Sequence, residues 1–169
     1  MFYSVEEHIC VATSDSPVGP FRQEVKQPVW EEKSIDTSLF IDDDGTPYLY
    51  FVRFTDGNVI WVARMTDDLM KIKTETLSQC VKAEAPWELL QAKVAEGPSV
   101  LKKNGTYYLI YSANHYQNKG YGVGYATSKS MQRWQLEIHF PCPLEQRENT
   151  SAYFLFQGFR YLRSGSGFY

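Results

Sequence analysis

Asp36-Thr37-Ser38-Leu39-Phe40-Ile41-Asp42-Asp43-Asp44-Gly45-Thr46-Pro47-Tyr48-Leu49-Tyr50 returns, without a gap, 60 positions later as Glu96-Gly97-Pro98-Ser99-Val100-Leu101-Lys102-Lys103-Asn104-Gly105-Thr106-Tyr107-Tyr108-Leu109-Ile110. Each copy opens on a carboxylate and runs through an apolar stretch. Each then turns at Asp-Gly or Asn-Gly and enters an aromatic stretch. Asp-Gly and Asn-Gly between apolar runs are the strongest short-range hairpin signals. A partial third copy precedes both, since Val11-Ala12-Thr13-Ser14-Asp15-Ser16 echoes Tyr125-Ala126-Thr127-Ser128-Lys129-Ser130. Val62-Ala63-Arg64-Met65-Thr66 takes the same place in the middle unit.

Short antiparallel sheets recurring every 40–60 residues or so are the mark of a β-propeller. Strands are predicted at 2–5, 8–12, 39–41, 48–54, 59–65, 99–102, 107–112 and 122–127. The expected fold is all-β, about two to three blades of a propeller built from antiparallel four-stranded sheets. The predicted division is 1–130 as partial propeller (blade end 1–30, blade 31–83, blade 94–130), with 131–169 as a divergent C-terminal tail. Glu84–Lys93 reads as a helical turn or a loop, because Pro86 and its short length weaken a longer helix.

Composition narrows the function classes. Aromatic residues make up 15 % of the 169, with 12 Tyr and 10 Phe, which suits a β-rich fold with stacking surfaces. Seventeen Lys and Arg stand against 20 Asp and Glu, a net charge of −3 with no basic stripe, so nucleic acid is not an expected partner. No 18-residue apolar run is present, so no membrane partner is expected either. No signal peptide is visible, and localisation stays open. Cys10, Cys80 and Cys142 are odd in number and widely spaced, unlike a disulfide framework or a CxxC metal site. Asp42-Asp43-Asp44-Gly45 reads as a hairpin turn rather than a calcium loop, because strand residues follow Gly45 directly. No cofactor is expected. Asn104-Gly105-Thr106 and Asn149-Thr150-Ser151 match the glycosylation sequon; the first is explained by its turn.

The carboxylates carry the chemistry. Asp36 and Glu96 are predicted to open adjacent inner strands at one position of the repeat and to face one depression. Two facing carboxylates are the working groups of glycoside hydrolysis. Burial at the mouth of an apolar strand suits a general acid, which must hold a proton near neutral pH. Gly97-Pro98 fixes the backbone beyond Glu96. Arg53 sits alone in an aromatic strand and is a candidate to pair with either acid or to hold a sugar hydroxyl. Trp61, Trp87 and Tyr116 are candidates to stack on a sugar face, and His115 to line the pocket.

These motifs carry a resemblance. Ser34-Ile35-Asp36-Thr37-Ser38-Leu39-Phe40-Ile41-Asp42-Asp43-Asp44-Gly45-Thr46-Pro47-Tyr48-Leu49-Tyr50, Ala95-Glu96-Gly97-Pro98-Ser99 and Val11-Ala12-Thr13-Ser14-Asp15-Ser16-Pro17-Val18-Gly19-Pro20-Phe21 resemble glycoside hydrolase family 43, over residues 1–130. The resemblance implies a five-bladed propeller that cleaves xylose- or arabinose-containing glycans with inversion. It implies Glu96 as general acid and Asp36 as the residue that orients it and tunes its pKa. The family's general base, an Asp near the start of the first blade, has no match here. The resemblance therefore implies a fragment lacking the first and last blades, weakly active or inactive. A non-catalytic carbohydrate-binding propeller is the alternative. Interaction propellers of the WD or kelch type are disfavoured, because their Trp-Asp and double-Gly repeats are missing.

Overall fold

The computed structural model describes residues 1–24, 26–131, 133–135 and 142–143. Its strands are β1 (Phe2–Val5), β2 (His8–Val11), β3 (Ser34–Ile41), β4 (Pro47–Phe54), β5 (Asn58–Arg64), β6 (Ser78–Val81), β7 (Ala95–Lys103), β8 (Thr106–Ala113), β9 (Gly122–Ser130), β10 (Arg133–Gln135) and β11 (Cys142–Pro143). All pairings between these strands are antiparallel. β1 and β2 form one sheet, β3-β4-β5-β6 a second, and β7-β8-β9-β10 a third, on whose outer edge β11 also pairs with β9. This is part of a β-propeller, with two four-stranded blades in series. Among the described residues no helix is long and apolar enough to cross a membrane.

Residue chemistry explains why the sheets stack. β4 reads Pro-Tyr-Leu-Tyr-Phe-Val-Arg-Phe and is buried on both faces over most of its length. Tyr48, Tyr50 and Val52 point one way, into a core shared with Ala95, Tyr107, Leu109 and Tyr111 of the next blade. Leu49 and Phe51 point the other way, against Ile9, Phe2 and Val11 of the β1–β2 sheet. A strand with a core on each side needs an unbroken apolar run. Fully burying side chains such as Leu49 and Phe51 is worth roughly 1.5–3 kcal/mol each.

The structure corrects four sequence expectations. β6 (Ser-Gln-Cys-Val) was not foreseen, because it lacks an apolar alternation. β3 and β7 begin at Ser34 and Ala95, so Asp36 and Glu96 lie inside strands rather than at their mouths. Residues beyond Ser130 do complete a blade: β10 pairs with β9 at Arg133↔Ser130 and Gln135↔Thr127. Trp134 packs edge-on against Tyr50, ring centroids 6.0 Å apart, and the Tyr50 hydroxyl meets Met131 Sδ at 2.9 Å. Apart from Cys142–Pro143, the rest of the predicted tail, with the sequon at Asn149, lies outside the described residues.

The fourth correction concerns register. The middle strands keep the 60-residue spacing, but the inner strands are displaced by 61. Ile35 pairs with Val52, whereas Glu96 pairs with Ser112. The cause is the turn. The first hairpin is closed by Asp42 and Thr46 around Asp43-Asp44-Gly45, with Asp42 N–H bonded to the Thr46 carbonyl. The second is closed by Lys103 and Thr106 around Asn104-Gly105 alone. Both turn residues there have positive φ, 50° and 68°, the type I′ geometry that suits twisted strands. Dropping one turn residue slides β7 by one position. The structural counterpart of Asp36 is therefore Gly97, not Glu96. Both have positive φ, 54° and 60°, and both sit in a β-bulge.

At the turn ends the blades are clamped by charge. Lys102 Nζ lies 2.6 Å from Asp42 Oδ1 and 2.8 Å from Asp43 Oδ2, and the Tyr107 hydroxyl donates to Asp42 Oδ2 at 2.6 Å. Burial alone would raise the Asp42 pKa, but the hydrogen bonds from Lys102, Tyr107 and the Asp43 N–H outweigh it and hold the carboxyl below its usual 3.8. A carboxylate depressed on folding contributes stability above its unfolded value, lost as pH falls through the folded value. Asp42→Asn should therefore lower stability at pH 7 by about 1–2 kcal/mol. The difference from the parent should shrink steadily below pH 3.8. Urea melts of both proteins across that range check it.

Candidate active site

Two bulges shape the site. In β3, Asp36-Thr37 stands opposite Phe51 alone, between the Ile35↔Val52 and Ser38↔Tyr50 pairs. In β7, Gly97-Pro98 stands opposite Tyr111, between Glu96↔Ser112 and Ser99↔Ile110. A bulge re-aims the side chains around it, which strict alternation would send to opposite faces. Asp36 Oδ2 accepts the Gly97 N–H at 3.1 Å, across the blade boundary. The Asp36 carboxylate thus reaches the backbone beside Glu96. Asp36 is exposed and Glu96 half-buried.

Glu96 is held at both oxygens. Asn58 Nδ2 donates to Oε2 at 3.0 Å, and the Tyr121 hydroxyl donates to Oε1 at 2.9 Å. Asn58 opens β5 of the preceding blade; Tyr121 stands just before β9. Burial pushes the Tyr121 phenol up, a hydrogen bond with Ser112 pulls it down, and the charges of Glu96 and Asp36 raise it further. Both carboxylates therefore raise the same phenol. Among the described residues no cation forms an ion pair with either acid.

The other candidates separate into two groups. Arg53 does not meet the acids. It points to the face of β4 that carries Leu49 and Phe51, pairs with Glu32 at 2.5 Å, and lies over Trp61 and Trp30 at 4.4 Å and 5.4 Å from the ring centres. Trp61 is committed to that stack and to the core beneath it. Trp87 stacks on Tyr111, centroids 6.5 Å apart at 29°, against the inter-blade core. It sits in a 3₁₀ turn, Pro86–Leu89, whose buried Glu88 accepts the Glu84 and Ala85 N–H groups and the Tyr111 hydroxyl. His115 and Tyr116 stack on each other at 4.8 Å, and Tyr116 is 69 % exposed. They share with Tyr121 the loop that follows β8. That loop is fastened to the 3₁₀ segment through Asn114 Oδ1, which accepts the Gln91 N–H.

Sequence reading missed Asn58 and Tyr121. Asn58 reads as the end of an Asp-Gly-Asn turn, and Tyr121 as one more aromatic after Lys119-Gly120. Their separations from Glu96 in the chain, 38 and 25 residues, leave no local pattern. Among the described residues no group of three or more His, Cys, Asp or Glu side chains converges. Asp42 and Asp43 are instead bound to Lys102.

The placement of Asn58 depends on Gly57. Gly57 has φ +78°, and a Cβ there would sit 2.0 Å from the Lys93 carbonyl oxygen. That carbonyl accepts the Asn58 N–H at 3.0 Å, and Lys93 Nζ pairs with Asp56 at 3.0 Å. Gly57→Ala should part the β4–β5 turn from the start of β7 and cost about 2 kcal/mol or more. A fall in melting temperature, with loss of the Asn58 side-chain amide cross-peaks to Glu96, checks this.

Known proteins are similar to this chain in sequence and fold. The profile of glycosyl hydrolases family 43 matches residues 1–150. A Bacteroides thetaiotaomicron structure described as an endo-1,4-β-xylanase is 81 % identical, with a TM-score of 0.81, over 83 % of this chain and 48 % of that one. A thermostable family-43 glycoside hydrolase is 34 % identical, with a TM-score of 0.72, over 79 % of this chain and 46 % of that one. A xylosidase/arabinosidase of Humicola insolens is 31 % identical over 64 % of this chain and 44 % of its own length. A β-D-galactofuranosidase of Aspergillus niger is 29 % identical over 72 % of this chain and 34 % of its own. The chain spans less than half the length of each of these relatives. With the family profile covering most of its residues and two whole blades in place, the chain belongs to glycoside hydrolase family 43.

Proposed function

We propose that the chain carries the acid side of a glycosidase site for xylan- or arabinan-type glycans. Glu96 is the general acid and Asp36 orients it. The observation that supports this reading is that the Asp36 carboxylate bonds across the blade boundary to the Gly97 N–H beside Glu96, while both Glu96 oxygens are held by neutral donors. Relatives named as xylosidase/arabinosidase, β-xylosidase and arabinoxylan arabinofuranohydrolase support the pentose-glycan class. In this reading Glu96 gives its proton to the leaving glycosidic oxygen as the bond breaks. Water attacks the anomeric carbon from the opposite face, and the product carries inverted configuration. That water needs a base roughly 6.5–9.5 Å from the acid. No residue of this chain matches the family's base motif, so the 169-residue chain by itself should turn over slowly or not at all. The reaction needs protons and water, with no cofactor.

Arg53, Trp61 and Trp87 are withdrawn from sugar contact in this reading, because each is committed to packing. Tyr116, the most exposed of the candidate rings, keeps a free face for a sugar. Losing a general acid typically costs about 10²–10⁴-fold in rate. Once a base-bearing blade is supplied, Glu96→Gln should therefore depress hydrolysis of glycosides with poor leaving groups by that order, and of dinitrophenyl glycosides far less. Initial rates across an aryl xyloside and arabinoside series read this directly. Hydrolysis that ignores Glu96→Gln would remove the acid assignment. Xylo- or arabino-oligosaccharide binding by calorimetry with no turnover, even after a base-bearing blade is supplied, would favour a carbohydrate-binding module instead.

A further inference from the structure

We propose that Asn58 and Tyr121 are positioning residues for Glu96, so that its carboxyl is aimed partly by the neighbouring blade. The inference rests on the acid role proposed above. Glutamate has three rotatable bonds, and a half-buried one samples several rotamers unless both oxygens are engaged. Here each oxygen has its own donor: the Asn58 amide for Oε2 at 3.0 Å and the Tyr121 phenol for Oε1 at 2.9 Å. Neither donor carries charge, so the grip orients the group without an ion pair.

Both donors are themselves fixed. The Asn58 N–H is bonded to the Lys93 carbonyl, and Asn58 bridges Val94 in a parallel pairing. The next β7 residue but one is Glu96 itself. The Tyr121 N–H is bonded to the Asn118 carbonyl, and Ser112, which lowers the Tyr121 phenol, is the cross-strand partner of Glu96. Glu96 thus closes a loop of contacts that runs through β5, β7, β8 and the 114–121 loop. Errors of about 0.5 Å in such a group matter to proton transfer, which is why rigid supports are effective.

Tyr121 supplies a built-in reporter that needs no turnover. Its phenol is raised by burial first, lowered by Ser112, and raised by Glu96 and Asp36. In the full chain labelled at tyrosine Cζ, Glu96→Gln should move the Tyr121 titration midpoint downward. Asn58→Ala should move it the same way in part, because a carboxyl released from the amide no longer stays on the phenol. Asn58→Ser, which is too short to reach Oε2, should repeat that effect and guards against a variant that fails to fold. A Tyr121 midpoint that neither Glu96→Gln nor the folded Asn58 variant moves would overturn the inference. Where turnover is measured, Tyr121→Phe should lower kcat about tenfold on poor leaving groups with KM nearly unchanged, and much less on activated ones. Equal losses on both kinds of substrate would also overturn it. If Glu96→Gln shows no leaving-group dependence while the phenol still responds, the acid role fails and the contact network stands.

Discussion

Every feature of the site depends on one apolar interface. Tyr50, Val52, Ile60 and Val62 of one blade meet Ala95, Leu109, Tyr111 and Ala126 of the next. The acids, the amide and the phenol of the site come from four different parts of the chain. Asp36 comes from one blade and bonds to the backbone of the other, while Glu96 is held by a side chain from each. A shift of the blades by one ångström would break the Asn58–Glu96 and Asp36–Gly97 bonds together. Packing density makes that shift costly, because interdigitated side chains cannot slide without opening voids.

The two ends of this interface are secured differently. At the hairpin end Lys102 bridges Asp42 and Asp43, with the Tyr107 hydroxyl on the same carboxylate. At the site end the contact is backbone to backbone, Asn58 to Lys93, where Gly57 is the residue that lets the chains approach. The one cation at this end, Lys93, pairs with Asp56, and among the described residues no cation pairs with Asp36 or Glu96; Glu96 is held by neutral donors. Arg53, the one cation of β4, is drawn to the opposite face by Glu32 and two indole rings.

The repeat illustrates how a correct alignment can mislead by one residue. Asp36 and Glu96 match at a constant spacing, and that match pointed to a shared site. Asp36 does reach the backbone next to Glu96, yet the two acids occupy successive rather than equivalent positions of their strands. A two-residue turn replaces a three-residue one, and the one-residue slip persists on both sides of the bulges. Gly97 then fills the left-handed position that Asp36 fills in the other blade. Glycine adopts that conformation freely, and aspartate is among the few others that tolerate it.

Local chemistry made much of this protein legible from its residues alone. Tyr48–Phe54 and Tyr107–Ser112 alternate or run apolar as strands must, and Asn104-Gly105 demands a tight hairpin. The recurrence of that unit is enough for a propeller, because a small antiparallel sheet buries its faces only by stacking on its neighbours. Tertiary structure alone decided the short outer strands Ser78–Val81 and Arg133–Gln135, whose polar sequences become strands through an available edge. It alone decided that Arg53 and Trp87 serve packing while Asn58 and Tyr121 grip Glu96. Pattern reports which face a residue occupies within its own strand; which groups meet across a blade boundary is set by how two sheets come together, and a one-residue change in a turn is enough to alter it.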